Sequence, residues 1–317
     1  MKSIPVLLLP LLLITACGNG DNESTPAAEP VSQESQRKTN IRMARIDDSG
    51  NWNELTETTR DPDHTAQIMP PIYQSEGPMW ENENVAFRLY FDERNGIDIF
   101  GKRTPEMVLD SVGINENYHE LQRWGMDVLK VGNSLGAGSI GLMIGDEIYR
   151  LGDAAEEHFR ILEETDDRSR FVLEYRGWEV ADRTLDLDWE ISIEAGTWGY
   201  ESTVTIDGLQ GDEELLTGIV NLHSDTVYTE QRGDRFTMYT HGVQAELDNT
   251  LGMAISAPES EVLGTGEFTT DDQPIGSTYY VRLRLADGQP TTYRFSAGWA
   301  PGYRAFGERE AFVGEIY

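Results

Sequence analysis

From about Ile72 to the C-terminus, apolar residues recur at every second position, in short runs broken by turns rich in Asp, Gly and Asn. Successive side chains of a strand point to opposite faces, so this period of two buries one face and leaves the other wet. Val85–Phe91, Gly138–Arg150, His158–Leu162, Arg170–Tyr175, Thr184–Ile193 and Trp198–Ile206 read as strands. Ile219–Leu222, Phe236–Thr240, Gly252–Ile255, Tyr279–Leu285 and Thr292–Ala297 continue the series. Short strands at this spacing predict an all-β sandwich of two large antiparallel sheets. No long amphipathic helix interrupts them. The best short candidate is Pro105–Val112, with Thr104 as its N-cap, and Tyr118–Val131 has room for a further turn or two.

The N-terminus sets the expected compartment. Met1-Lys2 precedes an apolar run, Val6–Ile14. This is too short for a bilayer-spanning helix, which needs about 20 apolar residues, but it suits a signal peptide. Ile14-Thr15-Ala16-Cys17 then resembles a bacterial lipobox, in which the cysteine is lipidated after cleavage. The chain is therefore divided into a lipoprotein signal peptide (1–17), a flexible polar tether (18–40) and a single β-sandwich catalytic domain (41–317). The expected location is the bacterial cell envelope, with the lipid as the sole membrane contact. Gly18 rather than Asp follows the cysteine, which gives no reason for retention at the inner membrane. Cys17 is the only cysteine, so the domain has no disulfide, thiolate nucleophile or zinc–cysteine site.

Lys and Arg number 25 against 56 Asp and Glu, a net charge of −31. Such a field repels nucleic acid. It still allows an anionic sugar as partner, because a pocket can be locally basic inside an acidic surface. Two motif matches fail on context. Gly132-Asn-Ser134-Leu-Gly136 fits a hydrolase nucleophile elbow, but that motif needs a strand–turn–helix. Gly136-Ala-Gly138-Ser-Ile-Gly141 fits a dinucleotide fingerprint, which must open a helix. Here a glycine-rich loop leads into a strand.

Three segments concentrate chemically capable side chains. In the first, Arg88, Tyr90 and Asp92 share one strand face, opposite Phe87, Leu89 and Phe91, with Trp80 before them and Arg94 after. In the second, Tyr118, His119, Trp124, Asp127, Lys130 and Asn133 lie close together on irregular chain, where sites usually sit. The third holds Asn221, His223 and His241. His64 is a further candidate. The cofactor position is none, with a divalent metal ion left open and His64, His119, His223 and Asp127 as its candidate ligands.

The segments EGPMWENENVAFRLYFDERNGIDIFGKRTPEMVL and YHELQRWGMDVLKVGNSLGAGSIGL carry a resemblance over roughly residues 60–317. Glu76-Gly-Pro, Arg88 with Tyr90 and Asp92, Arg94-Asn95, Asp98-Ile-Phe-Gly-Lys102 and Trp124-Gly-Met-Asp127 through Gly136 look like the DUF4861 family of bacterial polysaccharide-utilisation proteins. Met79 stands where that family usually has Gly. The resemblance implies a galactose-mutarotase-like β-supersandwich. It also implies oligosaccharide dehydratase activity on ulvan-type fragments, eliminating water from a non-reducing-end uronate to leave a 4,5-unsaturated sugar.

Such an elimination needs three things. A cation or donor must stabilise the uronate carboxylate as it takes enolate character. A base must remove the C5 proton, and an acid must protonate the C4 oxygen as it leaves. Arg88 is the expected carboxylate clamp, assisted by Asn133 or Lys130. His119 and Tyr118 are the expected acid/base pair, with His223 or His241 as alternative partners. Tyr90, Asp92, Arg94, Asp127, Trp124 and Trp80 are expected to bind the sugar. A polysaccharide lyase, a glycoside hydrolase, and a glycan-binding lipoprotein or mutarotase are the alternatives. The oligomeric state is not readable from the sequence.

Overall fold

A computed structural model describes residues 37–316, apart from 153, 271 and 272. The signal peptide, Cys17 and nearly all of the expected tether lie outside the described residues. Thr39 and Asn40, the last residues of the expected tether, are part of a sheet. Thr39–Arg42 is already a strand, and all four of its residues are buried.

The strands make two layers. One is a nine-stranded antiparallel sheet, whose long central members are Arg168–Val180, Arg183–Glu194, Gly199–Asp207 and Thr291–Trp299. The other is formed by two five-stranded sheets joined by a parallel bridge between Ile97 and Gly136. The all-β fold of large antiparallel sheets expected from the alternation is therefore what the chain adopts. The inward-facing positions of both layers close one apolar core. Phe87 meets Tyr200 and Phe295 edge-on at 4.9 and 6.0 Å, and Trp80 packs on Phe171 and Tyr200 at 5.3 Å.

The other face of the strands Met79–Asn82, Val85–Leu89, Ile97–Lys102 and Gly125–Asp127 supports a second, smaller core. Met79, Ala86 and Phe100 pack there against Val108, Leu109, Val112 and Trp124 from the segment that crosses above them. That segment includes Pro105–Val112, which is a series of turns rather than the expected helix. The reason is local. Buried Glu81 accepts hydrogen bonds from the Val108 and Leu109 amides at 2.7 and 2.9 Å, giving these donors a partner outside any helix. Glu81 also pairs with buried Lys102 at 2.5 Å, which makes Lys102 a structural residue of its motif. Gly101 has an equally plain reason. A Cβ there would lie 2.5 Å from the Trp299 ring and 2.9 Å from Val128. Gly101→Ala is expected to lower stability by about 1–3 kcal/mol through overpacking, measurable as a drop in melting temperature.

The sole α-helix among the described residues, Arg309–Glu315, was not foreseen. It packs Phe312 and Val313 against Phe306, Tyr239 and Ala254. The strand Glu213–Val220 begins earlier than the expected Ile219–Leu222, because its charged first residues hide the alternation. Among the described residues, no helix is long and apolar enough to cross a membrane.

Candidate active site

Strand register assembles the site on the face that carries the smaller core. Arg88 stands directly across from Asp98, and Asp127 across from Phe100, two residues further along the same strand. A period of two therefore puts Arg88, Asp98 and Asp127 on one face. Before the first of these strands the chain turns sharply. Ser75 and Glu76 have φ of +49° and +69°. Backbone strain of this kind in non-glycine residues gathers at functional sites. Gly77 must follow, because a Cβ there would lie 2.2 Å from the Leu89 carbonyl oxygen.

Arg88 is the hub, and it is fully buried. Its Nη1 donates to Ser75 O at 3.2 Å, Glu76 Oε2 at 2.9 Å and the Tyr118 hydroxyl at 3.1 Å. Its Nη2 donates to the Tyr90 hydroxyl at 2.8 Å and to Asp98, and lies 3.7 Å from Asp127 Oδ2. This corrects the expected role. A guanidinium with no exposed surface and both terminal nitrogens engaged is not open to a substrate carboxylate; it positions Tyr90, Tyr118 and the acids.

His119 occupies the open side. Its side chain is 63% exposed, and its Nδ1 is 3.3 Å from Oδ2 of Asp127, whose side chain is almost wholly buried. The chain turns at Tyr118–His119, which brings the two rings to 4.4 Å although neighbours on a strand would diverge. His119 thus shares the Asp127 carboxylate with Arg88. The hydrogen bond that His119 donates to Asp127 is the main reason its pKa is raised, against a smaller opposing effect of burial. Burial keeps Tyr118 above the ordinary phenol value, so it is protonated at neutral pH. Asp98 is pushed up to about 7 by burial and by Asp127, with Arg88 opposing. Its Oδ1 has no hydrogen-bond partner among the described residues.

Tyr90 joins this cluster to a cleft of about 600 Å³, whose lining includes Arg94, Val131, Asn133, Ser134 and Arg150. The Tyr90 ring has the Arg88 guanidinium 4.1 Å and the Arg94 guanidinium 3.7 Å from its centroid, a stabilising cation–π arrangement. Buried Asp92 receives the Arg94 side chain, which also donates to Glu76 Oε1 at 3.0 Å. Asp92 therefore orients an arginine rather than meeting sugar itself. Lys130 is exposed beside the cleft wall, and Asn133 Nδ2 donates to Gln273 O at 3.0 Å. Ser134 of the false nucleophile elbow is buried, with its hydroxyl donating to Val131 O at 2.6 Å.

Several expected residues stand elsewhere. Trp80 is wholly inside the main core. Trp124 is buried on Phe100, and its Nε1 donates to Glu116 at 2.6 Å, so neither indole offers an open stacking face. His241 contacts the Phe306 carbonyl oxygen at 2.9 Å, fixing the C-terminal segment to the nine-stranded sheet. His223 is in an exposed turn, with no hydrogen bond to the cluster among the described residues. His64 is buried edge-on against Tyr73, with Nε2 at 3.1 Å from Glu76 O; burial lowers its pKa. The four candidate metal ligands therefore do not converge, and no group of three or more His, Cys, Asp or Glu side chains suited to a metal occurs among the described residues. Arg150 was not singled out by the sequence, and Glu76 and Asp98 stand out there only as motif residues, with no role in the elimination.

A family model described as a domain of unknown function, DUF4861, matches residues 21–314. The chain belongs to the DUF4861 family. Uncharacterized protein P7 of Formosa agariphila is a more distant relative, 23% identical over 239 residues. That alignment takes in 69% of this DUF4861 chain but 58% of the relative, so the chain spans well under two thirds of that protein. Among solved structures, an alpha-mannosidase from Enterococcus faecalis aligns with 90% of this chain and 40% of its own, at 11% identity and a TM-score of 0.39. A putative aldose 1-epimerase from Klebsiella pneumoniae aligns with 88% of this chain and 96% of its own, at 8% identity and a TM-score of 0.37.

Proposed function

We propose that this DUF4861 protein is a carbohydrate-active lyase of the hydro-lyase type, removing water from a terminal uronate of an acidic oligosaccharide. One observation carries the reading. An exposed imidazole, His119, rests on a buried carboxylate, Asp127, beside the Tyr118 phenol that Arg88 holds. Elimination needs such a pair. His119 Nε2, which has no partner among the described residues, takes the C5 proton while Asp127 stabilises the imidazolium that forms. The C5–H electron pair becomes the C4=C5 bond, and the C4–O bond breaks. The Tyr118 hydroxyl gives its proton to the leaving oxygen, so water departs, and Arg88 beside that hydroxyl stabilises the phenolate that remains. Proton transfer from His119 back to Tyr118 resets the site. Arg94, partly exposed on the cleft, replaces Arg88 as the cation for the uronate carboxylate.

Incubation with a saturated uronate-ended oligosaccharide is expected to produce the ultraviolet absorbance of a conjugated unsaturated uronate. The product should have lost the mass of one water, with no change in chain length. Shortened chains would assign a polysaccharide lyase instead. A panel of ulvan-type fragments unchanged in both mass and absorbance would end the reading.

A further inference from the structure

Arg150 lines the cleft but has no place in the proton transfers. It ends the edge strand Glu147–Arg150, and its guanidinium reaches back to three separate stretches of chain. Nε donates to Pro274 O at 3.0 Å, and Nη1 to Arg94 O at 2.6 Å. Nη2 donates to Asn133 O at 2.9 Å, with Ser134 O at 3.1 Å and Asn133 Oδ1 at 3.2 Å. Every acceptor is neutral. Among the described residues no carboxylate pairs with Arg150; the acid it feels is Asp92, already bonded to Arg94. A largely buried cation without a counter-ion is costly, and carbonyl dipoles offset that cost only in part. In a chain of net charge −31, with Asp and Glu outnumbering Lys and Arg by more than two to one, a pairing carboxylate would have been easy to supply. Among the described residues that line the cleft, Glu93 is the only carboxylate, and its oxygens are each 3.3 Å from the Ala66 amide.

We infer that the cleft beside Tyr90 is an oxyanion subsite. Arg150 supplies its uncompensated positive charge, Arg94 forms its rim, and the ligand is a carboxylate or sulfate-ester group on the substrate. Arg150 Nη1 keeps one N–H beyond the one given to Arg94 O, and Arg94 Nη1 has no hydrogen-bond partner among the described residues, so an oxyanion can accept from either while the Arg150 charge attracts it. The inference rests on the proposed function only in making a sugar the carrier of the anion. Specificity for acidic oligosaccharides then comes from this subsite, one tyrosine ring away from the reacting centre.

The test is titration of the full-length protein with sodium sulfate and with D-glucuronate, against chloride and glucose at equal ionic strength, by calorimetry and thermal melting. Saturable binding and a raised melting temperature are expected with the two oxyanions and with neither control. The stronger of the two identifies the group. Arg150→Gln is expected to abolish binding. Because Arg150 also ties three loops together, that variant can fail to fold, so Gln273→Glu provides the independent arm. Gln273 is exposed at the cleft mouth, and a carboxylate there is expected to weaken oxyanion binding about tenfold without loss of fold. No oxyanion binding by the unaltered protein, or unchanged binding in Gln273→Glu, would overturn the subsite. Binding needs no turnover, so anion binding without elimination would retain the subsite and remove only the dehydratase reading.

Discussion

Replacing His119 by alanine is expected to cut the rate of uronate dehydration by about 10²–10⁴-fold, the usual contribution of a positioned acid or base. The protein should remain folded. His119 is largely exposed and holds no other element in place, so its removal belongs with surface changes that alter stability by about 0.5 kcal/mol or less. Initial rates and a melting curve on the same preparation decide the matter, and full activity would exclude His119 from the chemistry. The pH profile gives a second, sharper readout. A base acts when neutral, so activity rises with pH through the His119 pKa, which Asp127 raises. Asp127→Asn removes the main cause of that shift, and the acidic limb of the profile should move to lower pH. An unmoved limb would mean that another group serves as base.

How far the sequence foretold this site depends on what a repeat of two can encode. Alternation gives the face of each strand, so the grouping of Arg88 with Tyr90 was legible, as was the apolar face of Phe87 and Leu89. It does not give depth. The segment from 103 to 124 that closes over Arg88 has no periodic signal, and it turns an apparently open strand face into a buried one. The same blindness made Trp80 and Trp124 look like stacking platforms. Tyr118 and His119 were recognised as capable residues on irregular chain, and a turn supplies the convergence that a strand would have prevented. His241 was misplaced because a strand histidine gives no warning that the chain terminus will return to meet it. Arg150 had no local signal at all. Only the tertiary return of an edge strand to Asn133 and Pro274 makes it part of the cleft.

Arg88→Ala should cost the protein its fold rather than only its activity, with about 3–5 kcal/mol lost when one partner of a buried pair is deleted. The deletion would leave Asp98 buried without its cation and Asp127 with His119 alone, and Tyr90 and Tyr118 without the donor that orients them. A melting curve or solubility assay would show it, and a stable but inactive Arg88→Ala protein would restore the carboxylate clamp that burial now rules out. The double variant Arg88→Met with Asp98→Leu separates the two roles. A buried ion pair exchanged for apolar side chains is often neutral in stability, so much of the fold should return while dehydration does not. Asp98 adds a pH signature. Its folded pKa, about 7, lies above the ordinary carboxylate value, so the folded state binds this proton more tightly than the unfolded chain does. Its contribution to stability is then complete at acid pH and declines as pH rises from the carboxylate range towards neutrality. The Asp98→Leu change abolishes it, and a double variant whose stability still fell across that window would place the titrating group elsewhere.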